Sequence, residues 1–312
     1  MAGVLAAQAP RLAAVLQRRN GTTNAQGMNL PGWGLHPLEG RDLEGPYRRG
    51  RIAKDGLIRV MQTEAFLEPH ARVAATMCRR RPESAMKLYI GNRNYSSWSM
   101  RPGVLVTQAG IEHEAVVIRF DAFSADSQFK RSVAAVGPTG RVPVLVDGGL
   151  AIWDTLAISE YVAEKFPALD LWPADAAARA RARSVCAEMH SGFSALRGAC
   201  PMNIEASLPE TGALIWRDNA GVRADLARIF EMWTGLLDAS GGPLLFGGFS
   251  IADAFYAPVC MRLFTYALPV PPAVRGYMEC VRALPGVAAW ITAALAERDF
   301  LDFEEPYRLR RA

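Results

Sequence analysis

Residues 141–167 read "RVPVLVDGGLAIWDTLAISEYVAEKFP", and the spacing of their apolar residues changes part-way along. "RVPVLVDGG" (141–149) is a strand that ends in Asp-Gly-Gly, and glycines there supply the positive φ angles of a tight hairpin. "LAIW" (150–153) is the returning strand. "DTLAISEYVAEKFP" (154–167) has apolar residues at 156, 158, 161 and 162 and stops at a proline, so it is a helix. Two strands and a helix in immediate succession build one half of a small mixed sheet with a helix laid on its face.

Upstream, the chain supplies the other half. "KLYIG" (87–91) is a short apolar run bounded by a turn, and predicts a strand. "SMRPGVLVTQAG" (99–110) follows helical spacing and stops at Gly110. "HEAVVIRF" (113–120) is a second strand, rich in β-branched residues. "SADSQFKRSV" (124–133) reads as a weak helix or a loop. The order from residue 86 to 167 is therefore β-α-β-(α)-β-β-α, which resembles the thioredoxin-like plan. Downstream, "ALDLWPAD" (168–175) opens with a proline-bearing linker (168–173), and no strand signal recurs. Helical period dominates 176–199, 222–240, 250–268, 271–284 and 285–299, so residues 174–305 form an all-helical bundle domain.

Residues 1–85 differ from the rest. They hold 13 Lys/Arg against 7 Asp/Glu, although the whole chain of 312 residues has a net charge of only +4. The basic surplus belongs to this segment, so nucleic acid is not an expected partner of the remainder. The segment is Ala/Arg-rich and then Gly/Pro/Arg-rich, with too little apolar periodicity for a core, and disorder is expected. Two readings of it stand: a transit peptide, or, preferred, an over-extended gene start with the native start at Met86. No apolar run reaches the length of a membrane span, so no membrane association is expected. The five cysteines are scattered and odd in number, which points to free thiols in a reducing compartment, the cytoplasm. Four dispersed histidines give no metal-like spacing.

Four motifs, "YSSWSMR" (95–101), "GRVPVL" (140–145), "WDTLAISEYV" (153–162) and "SIADAFYAP" (250–258), stand in an order and spacing that resemble the cytosolic glutathione transferases. The resemblance covers about residues 86–305 and is closest to the serine-type, zeta-like and bacterial branches. It implies a glutathione transferase fold and glutathione as cosubstrate. It also implies a small electrophile as second substrate and a homodimer active in detoxification. At Pro143 it implies a cis peptide that turns the Val142 backbone toward the cysteinyl part of glutathione, with Arg141 beside it. Asp154 and Thr155, at the start of a helix, would take the α-amino and α-carboxylate groups of the γ-glutamyl end. An N-terminal helix end favours an anion, and Asp154 is equally well a helix cap.

A free thiol has a pKa of about 8.5, so it is mostly protonated at neutral pH. A hydroxyl donor and a helix N-terminus both favour the thiolate. Ser96 aligns with the serine the family uses, and Ser97 is its neighbour and rival. Ser99 is expected to cap the helix, and Tyr95 ranks below the serines. Arg101 either completes the site or faces solvent. Trp98 stands where zeta-like members carry cysteine. Ser250 and Asp253 have the spacing of a capping box and are assigned to folding. His190, Phe193 and Arg197 fall on one face of a predicted helix and read as a packed face or a pocket wall. Trp153 and Trp172 read as core or interdomain residues. Two rival functions remain open. One is a glutathione-dependent isomerase of maleylacetoacetate, which expects the missing cysteine. The other is a non-catalytic fold-mate that binds other proteins.

Overall fold

The structure, a computed structural model, describes residues 86–311. The readings made above for residues 1–85 lie outside the described residues.

The first part follows the expected order, with tighter limits. Strand β1 (Lys87–Ile90) leads through a turn into helix α1 (Ser97–Gln108), and β2 (Glu114–Val117) follows. Helix α2 (Gln128–Ala134) precedes β3 (Val144–Asp147), β4 (Leu150–Trp153) and α3 (Thr155–Lys165). The strands lie in the order β2-β1-β3-β4. β1 runs parallel to β2 and antiparallel to β3, with Leu88 opposite both Ala115 and Leu145. A helix crosses between β1 and β2, as a parallel pair requires. The β3–β4 hairpin closes at Gly148 (φ +56°) and Gly149 (φ +92°), where a side chain would be strained. Segment 124–133, read as weak helix or loop, is a helix over its second half. Ser127 caps it by accepting from Lys130 N.

The helical part comprises α4 (Ala176–Ser191), α5 (Ser194–Ala199), α6 (Pro209–Asp218), α7 (Ala220–Ser240), α8 (Ile251–Thr265), α9 (Pro272–Ala283) and α10 (Pro285–Glu297). Two expectations need correction here. The segment 176–199 is two helices, because the chain turns at Phe193 into left-handed backbone (φ +55°), so His190, Phe193 and Arg197 share no helix face. α6 has no counterpart in the sequence reading: it begins at a proline, and Gly212 inside it packs directly on the Tyr266 carbonyl.

The core sits where α1 meets α8 and α10. Met100, Val104 and Leu105 of α1 are buried with Leu88, Ile90 and Leu145 of the sheet. Every residue of α8 except Phe264 is buried, and a helix packed on all sides shows no amphipathic stripe. The Ser250–Asp253 capping box forms as expected, with Asp253 also accepting from Leu245 N (3.2 Å) and from the Tyr277 hydroxyl (3.3 Å). After α10 the chain folds back as a strap. In it Glu305 is buried and joined to Tyr95 (2.7 Å) and Asn203 (2.9 Å). Trp172 is buried and donates to Glu160 (3.1 Å). Trp153, at the end of edge strand β4, is 44% exposed, which corrects its reading as core. Among the described residues no single helix is long and apolar enough to cross a membrane.

Candidate functional site

The site is built from two helix N-termini and the turn before β3. Ser96 is the N-cap of α1: its hydroxyl accepts from Ser99 N (3.4 Å) and pairs with the Ser99 hydroxyl (2.7 Å). This corrects the expectation that Ser99 caps the helix. Ser99 lies within α1, fully buried, and accepts from Gly91 N (3.1 Å). Ser97 opens the helix, and its hydroxyl accepts from Arg262 Nη2 (3.1 Å) on α8. Tyr95 does not point its hydroxyl at the serines. It donates to Glu305 (2.7 Å), and burial together with that carboxylate raises its pKa, so the phenol stays protonated.

The Val142–Pro143 peptide is cis, as the resemblance implies. Asp154 caps α3 by accepting from Leu156 N (2.8 Å), with its backbone at φ +75°. A non-glycine residue there is held against its preference by about 1–3 kcal/mol, a cost that clusters at functional sites. Thr155 is fully buried. His190 reaches both: Nε2 lies 3.3 Å from Asp154 Oδ2 and Nδ1 lies 3.5 Å from Thr155 Oγ1. Burial lowers the His190 pKa, and Arg101 and Arg197 lower it further against the pull of Asp154. With the imidazole held neutral at neutral pH, the approach to Asp154 is a close polar contact rather than an ion pair.

These residues fall into two adjoining cavities. One, of about 470 Å3, holds Arg141, Val142, Pro143, Asp154, Thr155 and His190 in its lining. The other, of about 440 Å3, holds Ser96, Ser97, Tyr95, Arg141, Val142 and Arg262 in its lining. Trp98, Arg141, Val142 and Arg197 belong to both. All seven residues expected to bind or react, from Ser96 to Thr155, thus line one bipartite cleft. The apolar wall of the serine side comes from Phe120, Phe123 and Phe129 of the first part and from Met202 of the helical part.

Sequence reasoning missed Arg262 and left Arg101 between two readings. Arg101 is buried and stacks on Trp98 (4.3 Å) and Phe255 (5.1 Å), and among the described residues its Nε and Nη1 have no hydrogen-bond partner. This settles its two readings against solvent. Burial, with Arg197 and Arg262 nearby, lowers its pKa to about 9. Arg197 lies over the same Trp98 ring at 4.8 Å, so two guanidinium groups contact this tryptophan. The signal for Arg262 was present: it is the one basic residue in the apolar run "IADAFYAPVCMRLFT". A cleft lined by these cations, two hydroxyls and two helix N-termini can bind an acidic peptide and keep a thiol ionised there.

The glutathione S-transferase N-terminal domain model matches residues 95–165, and the C-terminal domain model matches residues 176–293. The chain belongs to the glutathione S-transferase family. Over 209 residues this glutathione transferase is 28% identical to glutathione S-transferase Z2 of Arabidopsis thaliana, covering 65% of this chain and 89% of that protein. It is 27% identical to maleylacetoacetate isomerase of Rattus norvegicus, over 59% of this chain and 81% of that one. The fold is shared with a Burkholderia glutathione transferase homolog solved with bound glutathione: TM-score 0.53, 24% identity, 69% of this chain and 100% of that chain.

Proposed function

We propose that this transferase binds glutathione across the bipartite cleft and joins its sulfur to a small electrophile, with a serine hydroxyl of the pair Ser96–Ser97 holding the thiolate. The observation that carries the reading is the shared cleft. Asp154 and Thr155 at the N-terminus of α3 and the two serines at the N-terminus of α1 face one space, with Val142 between them. Thr155 and the start of α3 take the α-carboxylate, because unpaired N–H groups and the helix dipole favour an anion. Asp154 takes the α-amino group. The Val142 backbone pairs with the cysteinyl unit like an added strand, and Arg141 flanks it. Bound glutathione supplies the nucleophilic sulfur. The serine hydroxyl and the α1 N-terminus lower the cost of ionising that thiol, and its proton leaves to solvent. The Phe120, Phe123, Phe129 and Met202 wall holds the electrophile, so the protein orients two reactants and shifts one ionisation.

The similarity to the rat isomerase favours a second reading, glutathione-dependent isomerisation of maleylacetoacetate. Trp98 in place of cysteine weighs against a close match to that activity. We also propose a cytoplasmic homodimer active in detoxification, for which sedimentation of the full chain is the test of assembly. The functional test is retention on immobilised glutathione followed by a screen of electrophiles. Retention and turnover are expected; a chain that neither binds nor turns over is the non-catalytic fold-mate.

A further inference from the structure

Arg262 stands in an unusual position for a cation. It is buried on α8, where every residue but Phe264 is buried, and its Nε has no hydrogen-bond partner among the described residues. Nη1 donates to the Cys200 carbonyl (3.2 Å) and Nη2 to the Ser97 hydroxyl (3.1 Å). No carboxylate forms a salt bridge with it among the described residues. Burial lowers its pKa to about 10, so it remains charged at neutral pH. The neighbouring Cys200 thiol, pushed up to about 12 by burial, is neutral there. An unpaired buried charge is costly, and fold stability alone gives no reason to keep one.

The two serines differ in what their hydroxyls already do. Ser96 is committed to the helix: it accepts from Ser99 N and pairs with the Ser99 hydroxyl, which is itself anchored by Gly91 N. Among the described residues the Ser97 hydroxyl has one partner, Arg262, and that partner only donates. A guanidinium N–H in the oxygen's lone pair leaves the hydroxyl hydrogen free to point elsewhere, and the residue lines the cavity. We propose that Ser97 is the hydroxyl that donates to the glutathione thiolate, and that Arg262 is a positioning residue that turns and polarises that hydroxyl. This rests on the glutathione reading given above. No bond is made or broken at either residue. The substrate thiol loses its proton to solvent, and the resulting anion accepts from Ser97.

Other groups also face this cavity: Lys130, Arg141, Arg197, Glu304 and Tyr95. Arg101 lies behind Trp98. They set a background field, so the test must separate action through Ser97 from charge alone. Reduced glutathione at saturation is titrated by thiolate ultraviolet absorbance on full-length protein and its variants. S97A is expected to raise the bound thiol's apparent pKa by about one to two units. R262M is expected to raise it similarly, and S97A/R262M no further than either single change. R262K, which keeps a donor cation, recovers part of the shift. S96A is expected to lower the melting temperature and to move the thiol titration less than S97A does. The inference is overturned if S96A moves the titration and S97A does not. It is also overturned if R262M shifts the thiol as far in the S97A background as in the wild type, since its charge would then act without the hydroxyl. Should R262M fail to fold, S97A and R262K with their double variant make the same comparison. Absence of any thiolate signal with the wild type overturns the glutathione reading itself, a separate outcome.

Discussion

At Asp154 a single residue carries a backbone in the left-handed region, a helix cap and a contact to His190. These roles separate by substitution. Asp154→Ala keeps the positive φ and loses the cap, so it is expected to cost about 1 kcal/mol in urea unfolding. Asp154→Gly loses the same contacts but relieves the backbone, and is expected to stay closer to wild-type stability. Both variants should raise KM for glutathione with little change in kcat, the mark of a group that binds ground and transition states alike. An unchanged KM in both would confine Asp154 to folding. His190 gives a pH dependence. Its folded pKa lies below the unfolded value of about 6.5, so the unfolded chain binds more protons as pH falls through that value. Its contribution to stability is complete above about pH 6.5 and declines below it. Unfolding at pH 5 and 7.5 should show this slope, and H190Q should flatten it. The serines, Pro143, Asp154 and Thr155 were legible in the sequence because each belongs to a short motif at a strand–helix junction. The partners of His190 and the role of Arg262 were not, because each depends on a residue far away in the chain: Arg262 meets Ser97 across 165 positions.

Among the elements, the sheet and the first and third helices were read correctly in type and order, since period and turn residues specify them locally. The errors came where local signals compete. Ser96 and Ser99 both look like caps, and only the burial of Ser99 against Gly91 N decides between them. The period of 176–199 runs on through Gly192 and Phe193, and the break there is made by backbone conformation that no periodicity reports. α8 was legible through its capping box, and that box is testable. Asp253 is buried and accepts from Leu245 N, Ser250 N, the Ser250 hydroxyl and the Tyr277 hydroxyl. Asp253→Ala leaves those donors without a partner and should destabilise the fold by about 2–4 kcal/mol by denaturant titration. A loss below about 0.5 kcal/mol would mean that water replaces the carboxylate there.

For the molecule as a whole, the strap after α10 ties the ends of the described chain together. Asp299 accepts from Asn92 (2.6 Å) and pairs with Arg119, and Phe303 meets Phe123 edge-on at 5.3 Å. Glu305 holds Tyr95, Asn203 and Arg308 at once. Glu305→Ala strips a buried carboxylate from that set and should cost about 3 kcal/mol. Because the strap borders the serine-side cavity through Glu304, the variant should change KM for the electrophile more than KM for glutathione; steady-state kinetics in both substrates decide this. An equal change in both would place the strap's influence on the whole cleft. The sequence gives little sign of this segment, since "DFLDFEEPYRLRR" has neither period nor motif. The two matched family domains end at residue 293, and the strap lies wholly beyond them. A chain trimmed to those domain borders would keep every recognised motif and yet lose Glu304 from the lining of the serine-side cavity. Relatives that share this cleft could therefore differ in what they accept through a stretch that domain-based alignment discards.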